Sequence, residues 1–143
     1  MPHRYNGALI AGAVLSALAS LLHVGCIVYG APWYRFFGAG EHMARMAEAG
    51  HWRPTIITSA IALVLALWAL YALSGAQVIR PLPLLRPALC VITGVYMLRG
   101  LAVVPVALFM PARNTAFLWW SSLMCLAFGI VHFVGLRQAW TRL

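Results

Sequence analysis

Four long apolar runs, separated by shorter polar and aromatic stretches, set the pattern of this chain. They cover residues 7–30, 54–74, 87–110 and 115–137. Each is about as long as the ~20 residues a helix needs to cross a bilayer core. Leu and Ala dominate, and no run alternates with period two, so strands are not expected. Pro54 opens the second run at a helix-start position and Ser74-Gly75 closes it. Pro87 opens the third, and Asn114 or Thr115 can cap the fourth. The pattern predicts an all-α fold: one integral membrane bundle of four transmembrane helices filling the 143 residues.

The connections add two further expectations. The first loop is the longest. Within it, residues 41–49 read as a short helix ended by Gly50, with Met43, Met46 and Ala47 on one face. Glu41 and Arg45 form an i,i+4 pair in the better orientation. Such a helix is expected in the plane of the membrane interface. The linker from Arg80 to Pro87 is short and stiffened by proline, so the second and third spans should be antiparallel neighbours. Its Arg pair suits an anionic cytoplasmic leaflet.

Small and polar residues recur at helical spacing inside the spans. The stripes are Gly12, Ser16, Ser20 and His23; Thr58, Ala62, Ala66, Ala69 and Ala72; and Ser121, Cys125, Gly129 and His132. Helices in lipid pack through such residues, so these stripes are expected to face inward.

Composition agrees with the pattern. Hydrophobic residues make up 64% of the chain and charged residues 8%, against about 25% charged in a soluble domain. The net charge is +8, but the arginines are scattered between apolar runs and form no basic stripe. Nucleic acid is therefore not an expected partner. Arg4, Arg80, Arg86, Arg137 and Arg142 would fall on one side, and Arg35, Arg45, Arg53 and Arg113 on the other. That bias puts both termini in the cytoplasm of a bacterial cell, in its inner membrane. Trp33, Tyr34, Phe36, Phe37, Trp52, Phe109, Phe117, Trp119 and Trp120 all fall at the opposite end and read as an interfacial belt. His3 and Arg4 before an apolar stretch imitate a signal peptide, but the run continues to Gly30, too long for one. The first span is expected to be retained.

Candidate chemistry centres on Arg99, near the middle of the third span. An Arg there costs roughly 2.5–3.5 kcal/mol on insertion scales, and guanidinium stays charged. The chain has no Asp, and its acids are Glu41 and Glu48. Four partners are open: Glu41, if the first loop caps the bundle; an anionic ligand or lipid headgroup; a carboxylate of a partner chain; or a structural net of Tyr96, carbonyls and hydroxyls with snorkelling. Tyr96 is an i,i+3 neighbour, and Pro105 frees a carbonyl near Leu101. The expected ligand-binding residues are Arg99, Tyr96, His23 and Glu41.

Other constellations are less specific. His23 and His132 stand at different depths, which argues against a shared haem, and no cofactor is expected. Each reads better as a buried, hydrogen-bonded histidine. Glu41, His42 and His51 match no metal signature such as H-E-x-x-H, so no metal is expected. Cys26, Cys90 and Cys125 form no C-x-x-C pair and read as buried small hydrophobes. Ser121 and Ser122 have no adjacent base.

Leu22-His23-Val24, Tyr96-Met97-Leu98-Arg99-Gly100 and Thr115-Ala116-Phe117-Leu118-Trp119 resemble segments of small bacterial four-helix membrane proteins of unknown function. The resemblance covers about a third of the chain and implies architecture only. The expected role is non-catalytic binding or accessory work. Arg99 would hold an anionic amphiphile or lipid, or dock onto a larger membrane complex. An oligomeric channel or carrier for a small anion is the alternative, homo-oligomerisation being open. A membrane-embedded enzyme using Glu41 and His23 comes third.

Overall fold

The structure, a computed structural model, describes residues 5–113 and 115–143. His3, Arg4 and Asn114 lie outside the described residues. The described chain is all-α, in the order α1 (Gly7–Tyr29), α2 (Ala31–Phe36), α3 (Glu41–Glu48), α4 (Arg53–Gly75), α5 (Leu85–Leu101), α6 (Val103–Phe109) and α7 (Ala116–Ala139), with a 3-10 turn at Pro111–Arg113. Four helical stretches are long and apolar enough to cross a membrane: α1, α4, α5 with α6 (Leu85–Phe109), and α7. They match the four expected spans to within two residues at each end.

Two elements differ from expectation. Residues 31–36 form a helix, α2, started by Pro32 in its first turn. The third span is not one helix: α5 ends at Leu101 and α6 begins at Val103. Pro105 cannot donate an N–H to the Leu101 carbonyl, so the ladder breaks there. Thr115 caps α7, its hydroxyl accepting from the Leu118 N–H at 3.2 Å. α3 ends where Gly50 takes a left-handed φ of 70°.

The chain divides into two compact units, Met1–Leu15 with Trp68–Leu143, and Ser16–Leu67. In the first, α5 and α7 pack antiparallel. Arg86 lies over the Trp140 ring, Tyr96 against His132, Met97 against Gly129 and Gly100 against Leu126. A Cβ on Gly100 would fall 2.7 Å from the Leu126 backbone, so the two main chains touch. Asn6 ties three helix ends together. Its side chain accepts from Leu9 N at 3.0 Å, as an N-cap does, and donates to Gly135 O at 2.8 Å, while its N–H meets Ala76 O. Leu9 is fully buried against Gly75 and Gly135.

In the second unit, Ser20 donates to the Ala62 carbonyl at 2.7 Å. Tyr34 is buried and its hydroxyl pairs with Thr58 at 3.1 Å. Tyr34 therefore belongs to the core of this unit and not to an interfacial belt. Cys26, Ala31, Tyr34 and Ala44 form that core, with Trp33 seated over Gly25.

The small-residue stripes are inward as expected in α1 (Gly12, Ser16, Ser20) and α4 (Thr58, Ala62, Ala69, Ala72), with His23 and Ala66 half-buried. In α7 the stripe is rotated: Ser122, Gly129 and His132 are buried, and Ser121 and Cys125 half-buried. Cys90 is exposed, not buried.

Candidate binding site at Arg99

The register of α5 against α7 fixes where Arg99 starts and where its charge ends. Arg86 opposite Trp140 and Gly100 opposite Leu126 place the Arg99 backbone level with Ala127. Its guanidinium is elsewhere. Nη1 donates to Ser122 Oγ at 3.0 Å and Nη2 to Ser121 Oγ at 3.1 Å. Those serines stand five and six residues nearer the start of α7. At 1.5 Å per residue the side chain has climbed about 8 Å along the helix. That is snorkelling: the apolar stem lies along the α5–α7 face while the charge moves toward the Trp119-Trp120 end.

The two hydroxyls answer only part of the charge. Guanidinium has five N–H donors, and two are used here. The Arg99 side chain is exposed at the surface of the unit. No Asp or Glu side chain belongs to this unit, since Glu41 and Glu48 are both in the other. The site presents a fixed, partly satisfied cation to whatever surrounds it.

The other expected ligand residues are engaged elsewhere. Tyr96 is buried, its ring 4.9 Å from Trp68, 5.5 Å from Phe128 and 5.1 Å from His132. It is an aromatic core residue, and Arg99 donates its hydrogen bonds to the serines instead. The freed Leu101 carbonyl is likewise not an acceptor for Arg99. His23 Nδ1 lies 2.7 Å from the Ala19 carbonyl of its own helix. His132 makes the same i−4 contact with Phe128 at 2.8 Å and is fully buried, with Nε2 lacking a hydrogen-bond partner. Both are packed, hydrogen-bonded histidines.

Glu41 is committed to its own unit. Arg35 grips it with two bonds, at 2.9 and 3.0 Å, and grips Glu48 with two more, at 2.6 and 3.1 Å. Arg45 reaches Glu41 as well, at 3.2 Å, which is the expected i,i+4 pair. One guanidinium thus holds both of the chain's glutamates and straps α2 to α3. These hydrogen bonds hold the Glu41 carboxyl down at about 2 and the Glu48 carboxyl below the usual carboxylate range. A carboxylate so held is a poor proton acceptor for chemistry with His23. Arg35 was not among the expected site residues. The spacing of Glu41 and Glu48, seven apart on one face, was the available signal.

Among the described residues, no three His, Cys, Asp or Glu side chains gather where a metal ion could sit. No family model, curated protein or solved structure matches the chain.

Proposed function

We propose that this is a small multi-pass protein of the bacterial inner membrane with a non-catalytic binding role, holding the anionic headgroup of a membrane amphiphile at Arg99. One observation carries the reading: a guanidinium rooted near mid-span is displaced toward the aromatic end, fixed by Ser121 and Ser122, and left exposed beside them. A phosphate or carboxylate can accept the remaining donors as charge-assisted bonds. Trp119 and Trp120 next to the serines suit the headgroup level.

In this reading the aromatic end faces the periplasm and both termini face the cytoplasm. Phe36 of α2 is exposed and apolar, which suits a place at the membrane interface for that helix. The accessory variant, in which a partner's carboxylate meets Arg99 in the plane of the membrane, uses the same chemistry. A homo-oligomeric anion channel is less well supported, because the small residues of the α5–α7 seam are filled by Met97 and Leu126.

Native mass spectrometry of the protein extracted from its own membrane tests the proposal. An anionic lipid should co-purify and be lost on Arg99→Gln. A stoichiometric protein partner lost on that substitution would establish the accessory variant. Retention of the same lipid by the variant would overturn lipid binding at Arg99.

A further inference from the structure

A second cationic site lies at the other end of the first unit, independent of Arg99. There α4 ends at Gly75, α5 begins at Leu85 and α7 ends at Ala139. The linker between α4 and α5 is held rigid. Ser74 Oγ donates to Arg80 O at 3.1 Å and accepts from Leu82 N at 2.9 Å, and Tyr71 donates to Pro83 O at 3.2 Å. Gln77 and Leu84 adopt left-handed φ values of 64° and 54° to close it. Between this linker and the end of α7 is a cavity of about 420 Å³, with Arg86 and Arg142 in its wall. That size admits a headgroup, near the small end of ligand pockets at ~300–1,000 Å³.

Arg86 is pre-set for an anion. Its Nη2 donates to the Trp140 carbonyl at 2.9 Å and its guanidinium lies 4.8 Å from the Trp140 ring centre. Nε and Nη1 have no protein partner among the described residues. Arg80, Arg137 and Arg142 add charge at this end, and this unit contains no Asp or Glu side chain to offset it. The rest of the wall is mixed: Ser74 and Gln77 are polar, Pro81, Leu82, Leu85, Pro87 and Leu143 are apolar, and Leu84 is 77% exposed at the rim.

Depth separates this site from the first. Trp140 is nineteen residues from Ser121 along α7 and its end, about 28 Å at helical rise. That is close to the ~30 Å hydrocarbon thickness. We infer that the cavity beside Arg86 binds the phosphate of an anionic phospholipid in the leaflet opposite the one Arg99 faces. The apolar rim at the ends of three spans selects a lipid phosphate over a soluble one.

The test uses the full chain in nanodiscs of phosphatidylcholine with or without phosphatidylglycerol, read by native mass spectrometry of retained lipid. Wild type should retain phosphatidylglycerol at this site. Arg86→Gln and Arg142→Gln should each weaken retention about tenfold, the scale of one charge-assisted contact. Arg86→Lys keeps the charge but loses the fork, and should fall between. Arg99→Gln should leave this adduct in place, which keeps the two sites distinguishable. Arg86 also braces Trp140, and Arg142 donates to the Gln138 carbonyl at 3.5 Å, so circular dichroism checks that both variants fold. Unchanged retention in folded Arg86→Gln and Arg142→Gln would overturn the inference. So would equal competition by millimolar inorganic phosphate, which would make the site one for a soluble anion.

Discussion

Gly100 of α5 lies directly on the backbone of Leu126 of α7, with no room for a side chain between them. A Cβ built on Gly100 would stand 2.7 Å from the Leu126 Cα, Cβ and N. Those atoms belong to a helix and cannot swing aside. Gly100→Ala should therefore push α5 off α7 and lower stability by about 1–3 kcal/mol. Gly94, one and a half turns earlier, has open space around its Cα. Gly94→Ala should be neutral or stabilising by up to ~1 kcal/mol, since Ala is the better helix former. Thermal unfolding of both variants in one detergent checks the contrast.

Gly12 meets His132 in a similar way, but here the neighbour is a ring. A Cβ on Gly12 would lie 2.8 Å from Cε1 and 3.0 Å from both nitrogens. His132 is fully buried and tied to Phe128 O, so it has little freedom to retreat. Gly12→Ala should destabilise, and His132→Ala should destabilise too by emptying the site. The double variant should be better than the sum of the two by about 1 kcal/mol, because the new methyl enters the space the ring leaves. Additive effects in a double-mutant cycle would show that the contact is not a shared constraint.

How far the chain could be read in advance follows from what each feature depends on. The four spans are written in local hydropathy and in Pro54, Ser74-Gly75 and Thr115, and they appear where expected. The helix Ala31–Phe36 is too short and aromatic to carry a period. Tyr34 looked like a belt residue because its partner, Thr58, is 24 positions away and on another helix. The α7 stripe shows the limit of periodicity: it fixes a face to within a residue, and Ser122 rather than Ser121 is the buried one. Arg99 stood out because of its cost in lipid. Its remedy depended on the length of an arginine stem and on the antiparallel register, neither visible without α5 set against α7.

The Arg35 fork sets a pH dependence for α3. Glu41 titrates at about 2 and Glu48 below its ordinary range in the folded protein, whereas free glutamates titrate near ~4.3. Folded values that are depressed mean stabilisation that is complete above the unfolded value and lost as pH falls through the folded one. Arg35 stays charged throughout. Hydrogen exchange of the α3 amides, corrected for intrinsic rate, should be flat from about pH 8 to 5 and rise below about 4.5. The effect should be modest, since all three groups are exposed, and weaker in high salt. Arg35→Gln should remove the acid step. A step unchanged in that variant would place the titration elsewhere.

The bond from Arg99 to Ser122 should be worth more than the one to Ser121. Ser122 is buried, whereas the Ser121 bond lies at the surface, where a lipid headgroup or water can replace it. Polar contacts between helices in membranes average about 0.6 kcal/mol and reach about 1.7 kcal/mol. Ser122→Ala should fall toward the upper end of that range and Ser121→Ala toward the lower. The cycle joining Arg99→Gln to Ser122→Ala should show coupling near ~1 kcal/mol, measured by unfolding in bicelles. Arg99→Lys separates position from charge. A lysine stem can snorkel as arginine does, but its single ammonium does not reproduce the two-pronged grip on Ser121 and Ser122. It should therefore keep part of any anionic-lipid retention that the proposed function predicts for Arg99, while losing most of the coupling to Ser122. Full coupling in the lysine variant would mean that reach alone, and not the fork, fixes the charge at the aromatic end.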